Sequence, residues 1–158
     1  MRRGLLLVIV PAALLLAGCA PTVSLQAAPQ ATSVGCAGVI VRLPGSIGGA
    51  ALRSTDAQGT AAWGVPATVS LTCGVTTLRA SSTKCQTIGD VDWLLGEQRI
   101  GKVEHQVLTT FGRTPTTQVV LDQDGPTAIA VLDALSDPVA AATRKNGVKC
   151  LAETDVPS

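Results

Sequence analysis

The sequence predicts an α+β fold, an antiparallel meander sheet of about four strands with a short N-terminal helix and a C-terminal helix packed on it. Three observations predict it. Period-two alternation and strand-forming residues recur between Thr68 and Asp122, helix-start signals stand before and after that stretch, and the strands follow one another in an order that favours hairpin neighbours.

The first helix is read from "TSVGCAGVIVRLPG", where Thr32 or Ser33 can cap, Cys36, Ile40 and Leu43 recur at spacings of four and three, and Pro44-Gly45 stops the run. The next stretch, "GSIGGAALRSTDAQGTAAWGVP", is rich in glycine and small residues and reads as irregular, with one brief strand at most around Ala51 to Ser54. "ATVSLTCGV" then sets Val69, Leu71 and Cys73 against Thr68, Ser70 and Thr72, the pattern of a half-buried strand. A polar loop, "TTLRASSTK", separates it from a second strand in "CQTIGDVDWLLG", where Gly89 suggests a bulge. "KVEHQVLTTFG" gives a third, with Val103, His105, Val107, Thr109 and Phe111 on one face, and "TQVVLD" gives a fourth. Asp124 as cap and Pro126 at an early helical position open the last helix, which carries Ile129, Leu132 and Leu135 on one side. Asp137-Pro138 marks a kink or the start of a second helical piece.

Ahead of this domain, Arg2 and Arg3 precede an apolar run from Leu5 to Leu16 broken by Pro11, the layout of an export signal and too short for the ~20 residues of a membrane span. Leu16-Ala17-Gly18-Cys19 matches a bacterial lipobox, which implies removal of residues 1–18 and lipid on Cys19. Two or three acyl chains, at about 0.8 kcal/mol per buried methylene, make a lasting anchor. Residues 19–32 read as the lipidated cysteine and a flexible tether, although Val23 to Leu25 could pair as a short strand. Residues 33–150 form one disulfide-bonded domain, and residues 151–158 are a disordered tail.

The full chain carries 12 Lys and Arg against 11 Asp and Glu, and losing Arg2 and Arg3 tips the balance to one net negative charge. With that balance and only Trp63, Trp93 and Phe111 as aromatics, the chain lacks the basic patch and stacking surface of a nucleic-acid binder. Setting Cys19 aside leaves Cys36, Cys73, Cys85 and Cys150, an even number that implies two disulfides in an oxidising compartment. No C-x-x-C pair accompanies them and the chain has one histidine, so neither a metal nor a cofactor is expected. Of the three pairings, Cys73 with Cys85 and Cys36 with Cys150 is favoured, the first across one loop and the second joining the domain's ends.

Taken in order, the lipobox, "CAGVIVRLPG", "AAWGVP", "LTCGV", "VDW", "TTFGRTP" and "KCLA" resemble a family of short actinobacterial lipoproteins known as a domain of unknown function, number 3515 in that series. The resemblance covers nearly all of the mature chain. It implies an exported, cysteine-bearing envelope protein and carries over no catalytic or binding residue.

Candidate chemistry is sparse. His105 would have to serve any triad or proton relay, and a hydrogen-bonded structural histidine is the commoner case on such a strand face. No G-x-S-x-G elbow is present, and Ser81 and Ser82 lie in a loop without a linked base. Asp90 with Asp92 and Asp122 with Asp124 suit turn and cap roles better than calcium, because "DQDGP" lacks the rest of an EF-hand loop. Ligand contacts, if any, fall to Arg113 at a turn and to Trp63 and Trp93, whose bulk otherwise fills the core. The expected function is that of a membrane-anchored, extracytoplasmic binding or scaffold module on the cell membrane, held through Cys19 and meeting an envelope protein or cell-wall component. An envelope-acting hydrolase or transferase, or a carrier of a small apolar ligand, is the alternative. Convergence of His105 with a carboxylate in a cleft would favour the enzyme.

Overall fold

The structure, a computed structural model, describes residues 21–76 and 84–150. The lipobox, the polar loop at residues 77–83 and the tail from residue 151 lie outside these.

Helix α1 spans Val34–Ile40, and the Ser33 hydroxyl caps it by accepting from the Cys36 amide at 3.3 Å, satisfying one of the free N–H groups of the first turn. Among the described residues, ten strands follow and intersperse with the second helix. They are β1 (Ser46–Ile47), β2 (Ala50–Arg53), β3 (Thr60–Trp63), β4 (Val69–Val75), β5 (Lys84–Ile88), β6 (Val91–Ile100), β7 (Val103–Phe111), β8 (Arg113–Thr114), β9 (Thr116–Leu121) and β10 (Arg144–Lys145), with α2 (Ala128–Ala142) before the last.

Eight of them make one antiparallel sheet in the order β1-β2-β3-β4-β9-β7-β6-β5, and β10 pairs with β8 apart from it. The sheet is therefore twice as wide as the four-stranded meander expected. Two causes account for the difference. The glycine-rich stretch before Val69 forms β1, β2 and β3, whose alanines at positions 50, 51, 61 and 62 carry almost no polar alternation. "CQTIGDVDWLLG" forms two strands rather than one, since Ile88 pairs with Val91 and Gly89, at φ +56°, makes the hairpin turn in place of a bulge. The irregularity in the sheet falls instead at Gly74, between Cys73 and Val75 of β4.

Both helices cover one face. Leu71, Cys73, Trp63, Trp93, Leu108 and Val119 point from the sheet toward Val39 of α1 and Val131, Leu132, Leu135 and Val139 of α2, all in one buried cluster. The two tryptophans are wholly buried, and their indole N–H groups are satisfied, Trp63 by the Pro44 carbonyl at 3.1 Å and Trp93 by the Ser136 hydroxyl at 3.0 Å. Helix α2 is capped by Thr127, which accepts from the Ala130 amide, and not by Asp124; Pro126 stands outside it. Asp137-Pro138 neither breaks nor restarts the helix, because Pro138 lies inside the span.

The two disulfides join Cys36 to Cys73 and Cys85 to Cys150, which corrects the favoured pairing. Cys73 and Cys85 are close in sequence, but β9, β7 and β6 stand between their strands, so no bond can form across the loop. Cys73 instead faces the core, where α1 presents Cys36. Cys85 lies exposed on the edge strand β5 and meets the chain's last described residue. Closing separations of 37 and 65 residues, the bonds contribute about 4 kcal/mol each on loop-entropy grounds.

Residues 21–33 run along the domain. The Val23 amide donates to the Ser54 carbonyl at 2.9 Å, the Leu25 amide to the Asp56 carboxylate at 2.9 Å, and the Gln30 amide to the Gly74 carbonyl at 3.0 Å. Ala31 is buried, and Val23 forms a parallel bridge with Thr55. The part of the expected tether that is described thus has fixed partners over most of its length.

A histidine–carboxylate cleft at one end of the sheet

Strand β9 pairs with β7 only as far as Leu121 opposite Gln106, whereas β6 and β7 continue as a two-stranded ribbon to Ile100 and Val103. Where β9 stops, Asp122 comes level with His105 and the start of α2 closes the corner. The result is a cleft of about 450 Å³ lined by His105, Asp122, Glu97, Glu104, Gln123 and Thr127, among others. A second groove shares Glu97, Gln106 and Ala128 and runs on past Leu95 and Leu108 to Lys84.

Within the cleft, Nδ1 of His105 is 2.6 Å from Oδ1 of Asp122, a close polar contact that lacks the alignment of a hydrogen bond, so the buried Nδ1 has no hydrogen-bond partner. Glu104 is bound to Arg99 at 2.6 Å on the exposed ribbon. The single hydroxyl among these lining residues, that of Thr127, accepts a helix amide as cap. The arrangement therefore supplies a base with an adjacent carboxylate and hydrogen-bonding groups for a polar ligand, but no serine or cysteine nucleophile among the lining residues. Asp122 was legible as an acidic turn residue and not as the partner of His105, which only the β7–β9 register reveals.

Arg113 is not a solvated turn residue. It is 3% exposed, and its guanidinium forks between two elements. Nη1 donates to the carbonyl and hydroxyl of Thr143, at 3.2 Å each, at the C-terminus of α2, where a cation also meets the negative end of the helix dipole. Nη2 donates to the Asp90 carbonyl at 2.6 Å and carboxylate at 2.7 Å. Lys145 is the other partner of Asp90, and its hydrogen bond, with the two nearby positive charges, holds the Asp90 carboxyl below the usual range against a smaller opposing effect of burial. Asp92 accepts from the Thr87 hydroxyl at 2.6 Å and the Cys150 amide at 2.8 Å. Trp63 and Trp93 have no ring face open to a ligand from outside, being core in full. Among the described residues, no group of three His, Cys, Asp or Glu gathers as a metal would need.

A helix-covered antiparallel sheet, closed by two disulfides and carrying a polar cleft at its end, defines a small disulfide-bonded domain. The chain belongs to the family described as protein of unknown function (DUF3515), whose model matches residues 4–147. Among curated proteins and solved structures, the chain matches none.

Proposed function

We propose that this protein is a lipid-anchored module on the extracytoplasmic face of the cell membrane that binds an envelope protein or cell-wall component, and that it is not an enzyme. The observation that carries the reading is how the cysteines are used. Four of the five are consumed in two disulfides within the domain, which suits an oxidising compartment, and Cys19 is left over at the end of the Leu16-Ala17-Gly18-Cys19 motif. On this reading the attachment falls to lipid on Cys19; no helix among the described residues is long and apolar enough to cross a membrane.

The experiment is mass spectrometry of the mature N-terminus from membranes of cells making the full chain. An acylated Cys19 as first residue is the expected result, and a mature chain beginning elsewhere without lipid overturns the anchor. Cys19→Ser should leave both disulfides intact while the protein loses its lipid-dependent membrane retention.

One observation favours a second reading, an envelope-acting hydrolase or transferase: His105 and Asp122 converge in a cleft. With no nucleophile lining it, such an enzyme would have to activate water, with His105 as general base. A carrier of an apolar ligand draws no support from the layer between sheet and helices, which Trp63, Trp93, Leu71 and Leu132 fill.

A further inference from the structure

The sheet has two distinct ends, and the anchored end of the chain arrives at one of them. Trp63 pairs with Val69, Val69 with Leu121 and Leu121 with Gln106, so these four residues form a row across β3, β4, β9 and β7. Two features project past that row on the same side. One is the turn at Gly64-Val65-Pro66, where Val65 is 73% exposed. The other is the ribbon of β6 and β7, which runs three residues, or roughly 10 Å, beyond Gln106 to a tip where Ile100 and Val103 are about half exposed beside Lys102.

Pro21 lies at this end too. Val23 bridges Thr55 in parallel, so the chain followed backward from Val23 leads toward Arg53 and the turn. The Arg53 guanidinium holds the two together, Nη2 donating to the Pro21 carbonyl and Nη1 to the Gly64 carbonyl at 2.7 Å. Cys19 is two residues before Pro21, a reach of at most about 7 Å. Singly exposed apolar residues are ordinary. Here Val65 stands beside the place where the chain comes within reach of its proposed lipid, the Ile100–Val103 tip stands farther along the same end of the sheet, and a short docked lead leaves little freedom to turn the domain over.

We propose that this end of the sheet rests on the phospholipid surface that holds the Cys19 acyl chains, with Val65 on one side and the Ile100–Val103 tip on the other at headgroup depth. The proposal rests on the lipid-anchor reading and adds an orientation to it. The strands β4 and β9 separate the two contacts, so the footprint is roughly 15–20 Å wide at about 4.8 Å per strand. Lipid attachment makes these weak contacts intramolecular in effect, so two small apolar feet suffice to fix an orientation. His105 stands one residue past the Gln106 row, so its cleft opens near the headgroups and meets components presented at the membrane surface.

The test uses the full, processed protein in vesicles of phosphatidylcholine and phosphatidylglycerol whose acyl chains carry bromine near the headgroup. Bromine quenches nearby indole emission, and the native Trp63 and Trp93 are buried, so the unsubstituted protein gives the background to subtract. Val65→Trp and Ile100→Trp should each be quenched at least threefold more than Val34→Trp, placed on a 90% exposed residue at the opposite end, where Gly35 abuts Pro115. Val103→Trp replaces whichever of the first two fails to form both disulfides. Equal quenching at all positions, or none, with an acylated Cys19 seen by mass spectrometry, overturns the orientation and leaves the anchor standing. An unmodified Cys19 overturns both.

Discussion

Nη1 of Arg113 lies 3.2 Å from the carbonyl oxygen of Thr143, so a side chain from the far end of the sheet caps the C-terminus of α2. The same guanidinium reaches the β5–β6 turn at Asp90, which makes Arg113 the joint between helix and hairpin. Removing it takes the guanidinium donor from the buried Thr143 carbonyl and from the part-buried Asp90 carbonyl. Arg113→Met should therefore lower stability by about 3 kcal/mol, read from the urea midpoint at unchanged slope. Arg113→Lys should recover only part, because a single ammonium cannot span both partners. Equal stability of the methionine variant would show that the fork is replaceable by packing.

Stability should also fall on acidification. The carboxyls of Asp90 and Asp56 are both held below their ordinary value, Asp90 chiefly by the Lys145 hydrogen bond and Asp56 chiefly by the Leu25 amide. A group with a depressed folded value is protonated more readily in the unfolded chain, so its stabilisation is present above the unfolded value near 3.8 and is lost as pH falls through the folded one. Urea midpoints from pH 6 down to pH 2.5 should decline, with the loss setting in as pH approaches 4. Asp90→Asn and Asp56→Asn should each flatten that decline, and an unchanged acid limb in both would remove these groups from the account.

At Gly74 the chain takes φ +91°, and a β-carbon there would come within 2.4 Å of the Gln30 backbone. Gly74→Ala should therefore push residues 28–33 off β4 as well as strain the irregular register, at a cost of about 2–4 kcal/mol. Hydrogen exchange at the Gln30 amide, protected in the parent by the Gly74 carbonyl, should rise more than at Val119 in the sheet centre. Uniform acceleration across the domain would indicate loss of the whole fold instead of local release.

What the sequence made legible was local. Ser33 as a cap, the alternation of Val69, Leu71 and Cys73, the long strand through His105 and the burial of both tryptophans each follow from residues within a few positions of one another. Strand order is not of that kind. That β9 inserts between β4 and β7 depends on pairing residues 41 to 52 positions apart, Leu71 with Val119 among them, and nothing in either segment names the other. The disulfide pairing failed for this reason, since proximity in sequence stood in for proximity in the sheet. The burial of Arg113 at the β7–β9 connection is not legible in the sequence, because α2 ends beside it only after the chain has gone round. The cleft was half legible: His105 was visible as the one histidine, while Asp122 was identified as its partner by register alone.

Loss of the His105 imidazole separates the binding module from the enzyme. His105 is mostly buried, but Asp122 is substantially exposed, so removing the imidazole leaves a carboxylate that water can solvate and no strongly destabilising orphan. His105→Ala should fold with both disulfides and lose about 1 kcal/mol or less beyond the cavity it leaves. In a deletion strain it should complement as well as the parent, because a binding surface does not depend on proton transfer. The decisive comparison adds His105→Gln, which keeps hydrogen-bonding capacity without a base. Two inactive but folded variants would make water activation by His105 the better account, whereas activity in the glutamine variant alone would assign His105 to ligand recognition through its hydrogen bonds.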